Sequence, residues 1–288
     1  LASVLAQDAV DCIDRIVVLG PDRYGLVPAD PRILHVPDVP PGPAGPAYNR
    51  GLALATGEFV VLMDADVVLS SDWLSIVLER HGAGWDVVAG GVCVPAGSYL
   101  AQVYNFSCFH GELATHPPGP RSYLTTMNLS VRRSVAEAVG PVREDIPRWY
   151  DLDWTLRMRR AGYRLLFEPA ARVWHFPCYV TPTILCRTWF ASGSVAQALR
   201  PTYPDLLPNS RWLDHPWLLL LLSPGLATAV AARVGRAAAG DHRVWATLPW
   251  VWLTKMAWCL GASHGRLRGA MPASRYTYVE PPKAPIGG

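Results

Sequence analysis

The chain has 288 residues, half of them apolar and 17% charged, with a net charge of +3. That length supports one large domain or a domain with an appendage, and so small a charge, with no long Lys/Arg block, argues against a nucleic-acid partner. Six scattered cysteines (Cys12, Cys93, Cys108, Cys178, Cys186, Cys259) form no C-x-x-C pair, a pattern that speaks against a zinc site or disulfide framework and predicts reduced, mostly buried thiols in a cytoplasmic protein. No signal-peptide pattern is present, and the chain opens at Leu1 within a helical pattern, LASVLAQ.

Residues 1–175 alternate apolar strand-like runs with helical patterns, which predicts an α/β fold with a mostly parallel, Rossmann-like sheet. DRIVVLG (14–20) and RILHVP (32–37) read as strands, followed by a loop rich in proline and glycine. A helix is expected over 47–55, a strand over 58–63, and a second helix in SDWLSIVLER, with Ser70 or Ser71 as its cap and Asp72 in its first turn. WDVVAGGVCVP reads as another strand. Residues 97–124, centred on HPPGPR, read as a long functional loop. MNLSVRRSVAEAVG then predicts a strand and a helix ending at Gly140, a further helix starts near Asp151, and YRLLFEP and ARVWHF predict two strands.

The character changes after about residue 183. A helical stretch through RTWFASGSVAQALR leads to two very apolar segments, 217–232 and 244–262, each with an internal proline and each at or below the roughly 20 residues that span a bilayer. Trp245, Trp250, Trp252 and Trp258 do not share one helical face. Arg233, Arg236, Arg243, Arg266 and Arg268 flank the pair. Two readings stand side by side: a helical hairpin packed within the protein, and a peripheral membrane contact with Trp and Arg at the interface. The expected division is thus 1–200 for the α/β domain, 201–270 for the hydrophobic helical segment, and 271–288 for a Pro-rich disordered tail.

The chemistry centres on FVVLMDADVVLS. Asp64 and Asp66, spaced i, i+2 at the end of an apolar strand, place two carboxylates on one side of the backbone. Such a pair suits a hard divalent cation, Mg²⁺ or Mn²⁺, that completes its shell with phosphate oxygens, but it also suits an ordinary Asx turn. YDLDW repeats the spacing at Asp151 and Asp153, in what reads as the first turn of a helix, where the dipole favours acids. RVWHFP ends a strand on His175. In an open α/β sheet, features in this order gather at the carboxyl ends of the strands.

The ordered set PAYNRGLALATGEFVVLMDADVVLSSDWL, TTMNLSVRRSVAEAVG and YDLDWTLRMRRAGYRLLFEPAARVWH resembles the family 2 inverting glycosyltransferases of the GT-A fold, over about residues 1–200. The resemblance implies transfer of a sugar from a nucleotide-diphosphate donor (UDP-, GDP- or dTDP-linked) to an acceptor hydroxyl, with Mg²⁺ or Mn²⁺ as cofactor. By match, Asp64 contacts the nucleoside, Asp66 and His175 bind the metal, Asp151 is the catalytic base, and Asn49, Arg50 and Asn128 lie in the donor-binding region. The helix start at Asp151 is expected to keep that carboxylate ionised. The hydrophobic helices make a lipid-linked acceptor at the inner face of the membrane an expectation of the same resemblance.

The match departs from the family at its start. The family's first strand precedes everything in this chain, and Leu19-Gly20-Pro21-Asp22 stand where acidic residues usually meet the base, so that Asp22 would have to substitute from a shifted position. Tyr150 stands where a glutamate usually precedes the base, and Asp153 has no assigned role. These departures leave open a non-catalytic nucleotide-sugar or partner-binding module on the same fold. A sugar-phosphate nucleotidyltransferase is a further alternative, though only the weak PPGPAGPAYNRG offers the phosphate loop it would need.

Overall fold

A computed structural model describes residues 1–177, 180–204 and 214–269; the predicted tail, 271–288, lies outside the described residues. In chain order the elements are α1 (Ala2–Leu5), β1 (Ile16–Leu19), β2 (Ile33–Val36), α2 (Ala44–Leu54), β3 (Phe59–Met63), β4 (Val67–Leu69), α3 (Trp73–Gly82), β5 (Val87–Cys93), α4 (Tyr99–Phe109), β6 (Gly119–Pro120), β7 (Asn128–Arg132), α5 (Arg133–Val139), α6 (Tyr150–Arg160), β8 (Leu165–His175), α7 (Pro182–Leu199), α8 (Pro216–Ala237) and α9 (Arg243–Arg268). They form two compact units that do not follow the order of the chain. Leu1–Cys93 joins Glu112–Trp174, and Val94–Gly111 joins His175–Gly288.

The first unit is built on a mixed sheet in the order β3-β7-β5-β8-β4, with β6 paired to β8. β7 runs antiparallel between β3 and β5, and β5 and β8 are parallel, so β3, β5 and β8 point the same way. β1 and β2 form a separate parallel pair. The sequence pattern explains the burial. On β3, Val60 and Leu62 face the core while Val61 is exposed; the apolar runs of β5 and β7 are covered on both faces. Trp154 and Met158 of α6 and Val135 and Ala136 of α5 close the core over this sheet.

The two strands predicted in YRLLFEP and ARVWHF are one bulged strand. Gly90 pairs with Glu168 but Gly91 with Arg172, leaving residues 169–171 of β8 without partners in β5. The paired glycines make room for the bulge: a Cβ on Gly90 would lie 2.0 Å from the Ala171 carbonyl oxygen, and one on Gly91 2.9 Å from that of Pro169. The helix predicted over 47–55 begins earlier, at Ala44. Asp72 is the N-cap position of α3, with no side-chain capping bond from it or from the predicted serines.

The second unit corrects the largest misreading of the sequence. Residues 97–124, expected to be a loop, contain the eleven-residue helix α4. Ser98 caps it by accepting from Ala101 N (3.2 Å), and Val103, Phe106 and Phe109 are buried at helical spacing; the prolines that suggested a loop all lie after the helix ends. In the same unit α7 and α9 pack backbone against backbone. A Cβ on Gly193 would lie 2.0 Å from the Trp258 carbonyl oxygen, and Cβ atoms on Gly261 and Gly265 would lie 1.9 and 2.2 Å from those of Phe190 and Ser194. The G-x-x-x-G spacing in α9 therefore serves a close intramolecular helix pair. Lys255, on α9, is buried: its ammonium donates to the Ser107 carbonyl (3.0 Å) and sits 3.4 Å from the centroid of the Trp189 ring. The expectation of mostly buried thiols fails as well. Of the five described cysteines only Cys259 is buried, while Cys12 and Cys186 are exposed, since neither lies on an inward-facing position of its segment.

Candidate active site

Asp64 and Asp66 occupy the turn between β3 and β4, at the carboxyl end of an apolar strand. The Asp64 N–H donates to the Met127 carbonyl (3.1 Å) and its Oδ1 accepts from the Tyr48 hydroxyl (2.8 Å), while Tyr48 in turn accepts from Thr126 Oγ1 (3.2 Å). Burial, with the Asp64 charge beside it, raises the Tyr48 phenol well above its ordinary range, so Tyr48 is a permanent donor here.

His175 ends β8. Asn105 clamps it, with Oδ1 on the ring Nδ1 (2.5 Å) and Nδ2 donating to the His175 carbonyl (3.0 Å). Tyr104 and Phe109 pack against the imidazole. Donation from Nδ1 to the amide oxygen leaves the ring lone pair on Nε2, the arrangement that orients a metal-binding histidine. Ligand atoms of Asp64, Asp66 and His175 all lie within 4.8 Å of one another. Two carboxylates and an imidazole nitrogen form a donor set that fits Mn²⁺, and also Mg²⁺ through its oxygens.

The segment Leu124–Asn128 ties the site together. The register of β3 and β7 puts Asn128 opposite Met63, next to Asp64. Asn128 Oδ1 accepts from Gly90 N (2.9 Å), while its Nδ2, buried, has no hydrogen-bond partner. A buried, unpaired amide donor costs on the order of 1–3 kcal/mol, a cost that a ligand's acceptor would remove.

Asp151 stands in the first turn of α6, two residues after Trp149, whose φ of 66° places a bulky residue in the left-handed region. Its Oδ1 accepts from Leu152 N (2.8 Å), and the Thr126 N–H and the charge of Arg148 also favour its ionised form. Burial outweighs these donors and raises its proton affinity above that of an ordinary aspartate, the opposite direction from the shift that a helix start alone would give. An upward shift suits a general base better than a fully stabilised carboxylate would.

The remaining predicted residues divide. Asp153 is buried in an ion pair with Arg157, four residues on in the same helix (3.1 Å), which accounts for it structurally. Asp22 accepts from Leu26 N and Val27 N (2.8 and 2.9 Å), closing its own loop, and these bonds lower its proton affinity. The Asn49 amide is engaged with Val142 N and O and with the Glu144 carboxylate, while Arg50 is exposed on α2. Tyr48, Asn105, Thr126 and Glu112 were not singled out from the sequence. Tyr48 and Thr126 lie inside the quoted PAYNRG and TTMN segments and were readable there as polar residues beside apolar ones; Asn105 and Glu112 fell in the supposed loop.

Residues 42–140 match the model for glycosyl transferase family 2. Over these residues, about a third of its length, the chain is similar to that family. A pre-mycofactocin glycosyltransferase of Mycobacterium tuberculosis is 28% identical over 221 residues, covering 72% of this chain and 46% of the relative. The glycosyltransferase AglE of Haloferax volcanii is 32% identical over 124 residues, covering 42% of this chain and 40% of that protein. The chain thus spans less than half the length of these relatives. Among solved structures, the mannosyltransferase PcManGT of Pyrobaculum calidifontis, in complex with GDP-Man and Mn²⁺, superposes with a TM-score of 0.57 at 19% identity, covering 93% of this chain and 81% of that one. The likeness shows the GT-A fold for this chain.

Proposed function

We propose that this protein is a family 2 inverting glycosyltransferase that moves a sugar from a nucleoside-diphosphate donor to an acceptor hydroxyl. The observation that carries the reading is the gathering of Asp64, Asp66 and His175 ligand atoms within 4.8 Å at strand ends. Asp64 would meet the nucleoside, and Asp66 and His175 would hold the cation. When bound, Mg²⁺ or Mn²⁺ supplies neutralisation of the charge that collects on the diphosphate leaving group. The unpaired amide of Asn128 and the exposed guanidinium of Arg50 offer donors to the nucleotide-sugar, and Asn49 would act by fixing the 142–144 turn. A nucleotide-sugar complex of the similar PcManGT lends weight to the donor class.

In the step itself, the acceptor hydroxyl gives its proton to Asp151 as its oxygen attacks the anomeric carbon. The bond from that carbon to the diphosphate oxygen breaks on the opposite face, so the configuration inverts and no covalent enzyme intermediate forms. Release of nucleoside diphosphate from a panel of UDP-, GDP- and dTDP-sugars, dependent on Mg²⁺ or Mn²⁺, tests the reading. Asp151→Asn should lower turnover by roughly 10²–10⁴-fold while donor binding survives. Donor binding without turnover, for every acceptor tried, would favour the binding module. Pyrophosphate release from a nucleoside triphosphate and a sugar phosphate would favour the nucleotidyltransferase.

The second unit supports a membrane-proximal acceptor. α8, 22 residues long with a window mean hydropathy of 1.7, is apolar and long enough to cross a membrane by length and composition. Its exposed face runs from Trp217 (69% exposed) through Leu221 (75%), Leu222 and Ala229 to end on Arg233 and Arg236. Trp245, Pro249, Leu253 and Leu260 give α9 an exposed apolar face of its own. Apolar faces ending in arginine suit an interfacial contact with an anionic leaflet, and hence a lipid-linked acceptor at the cytoplasmic face.

A further inference from the structure

Glu112 lies beside β5, its carbonyl accepting from Val92 N (2.7 Å) while Ala114 N donates to the Val92 carbonyl (3.0 Å). Its side chain is only 8% exposed. The carboxylate accepts from Thr125 N (3.1 Å) and Thr125 Oγ1 (2.6 Å). Asp151 takes its own backbone donor from Thr126, the next residue. A buried carboxylate, Glu112, and a half-buried one, Asp151, are therefore anchored on consecutive residues of one segment, the same segment whose Met127 carbonyl fixes Asp64. Thr155, one turn after Asp151 on α6, locks the start of the segment by donating to the Leu124 carbonyl and accepting from Leu124 N (both 3.2 Å).

Asp151 and Arg121 act on Glu112 through their charges, and Arg148 acts on Asp151. Burial pushes the Glu112 carboxyl up to about 7, its bonds to Thr125 oppose the rise, and the Asp151 charge adds to it.

We propose that Glu112 is a positioning residue for Asp151, and that the two form a coupled pair in which ionisation of Glu112 strengthens Asp151 as the base. The proposal rests on the assignment of Asp151 as base given above. At lower pH the pair carries one proton, on Glu112, and one negative charge, on Asp151. As pH rises Glu112 releases its proton to solvent. The second negative charge raises the affinity of Asp151 for the proton of the acceptor hydroxyl.

Two measurements test this. The pH profile of kcat in the wild type should rise once as Asp151 ionises and again near neutrality, by roughly two- to fivefold, as Glu112 ionises. Glu112→Gln, which keeps an oxygen for the Thr125 donors, should remove the second rise and leave the first. An equal loss at every pH would mark Glu112 as structural only and overturn the proposal, as would a second rise that survives in Glu112→Gln. Independently of turnover, ¹³C NMR of glutamate-labelled protein should show the Glu112 titration midpoint fall in Asp151→Asn. An unchanged midpoint overturns the coupling while leaving the base assignment intact. A shifted midpoint in a protein without transferase activity would sink the assignment and keep the pair.

Discussion

The two units spend their polar groups in opposite ways. In the first, carboxylates lie at or below the surface at the ends of strands and helices: Asp64 is held by Tyr48, Asp151 by backbone N–H groups, and Glu112 by Thr125. In the second, helices meet through bare glycine backbone, and apolar side chains such as Trp217 and Leu221 face outward. Burying a carboxylate costs free energy that packing alone does not return, so its presence points to chemistry. Exposing a run of large apolar side chains along a helix points to a surface that meets something apolar. Even the buried charges contrast, with Glu112 in the first unit and Lys255 in the second both moved towards neutrality, from opposite sides.

The glycine contacts offer the largest way to break this contrast. Gly261→Leu should destabilise the helical unit by about 3 kcal/mol or more, because its Cβ alone would lie 1.9 Å from the Phe190 carbonyl oxygen and backbone must shift to admit it. Thermal unfolding followed by far-ultraviolet circular dichroism reads this. A melting temperature unchanged from wild type would mean that α7 and α9 are not packed as described.

The opposed titrations give a second effect. Glu112, near 4.5 when unfolded and about 7 when folded, binds its proton more tightly in the native state. Stability should therefore fall as pH rises from about 4.5 to about 7. Lys255, 10.5 when unfolded and about 7 when folded, binds its proton more weakly in the native state, so stability should rise from about pH 7 to about pH 10. The Glu112 slope amounts to about 3 kcal/mol at most and the Lys255 slope to about 5 kcal/mol at most. Denaturant midpoints across this range should lose the first slope in Glu112→Gln and the second in Lys255→Met. If both slopes survive both substitutions, other groups set the pH dependence.

How far the sequence revealed this molecule also differs between the units. In the first, strand alternation, the glycine at 140 and the paired acids were readable because they are local: a period, a turn, a helix start. The bulge in β8 was not, since it depends on which residues of another strand lie opposite, and two glycines in β5 carry no sign of what they admit. In the second unit α8 and α9 were plain from composition, but α4 was hidden because the prolines after it dominated a window that its own Val103, Phe106 and Phe109 should have split. Glu112 was lost with it. The site's acids were legible; the tyrosine and threonines that hold them were not, because a hydroxyl's partner lies far away in sequence. Asp22 and Asp153, which the sequence left without a settled role, serve a loop and an ion pair.

The smallest effect on stability should come from the exposed face of α8. Trp217→Ser with Leu221→Ser should change folding stability by about 0.5 kcal/mol or less per site, yet weaken co-sedimentation with vesicles of anionic phospholipid. Unaltered partition would make the apolar face structural.

Donor binding by titration calorimetry tests the central claim most directly, comparing wild type, Asp66→Asn and Asp151→Asn with a nucleotide-sugar in the presence and absence of Mn²⁺. The account predicts binding that needs both Mn²⁺ and Asp66 and persists in Asp151→Asn, with turnover lost only at the base. Binding that is indifferent to Asp66, or that vanishes with Asp151, would contradict the division of labour between the strand-end cluster and the helix-borne carboxylate.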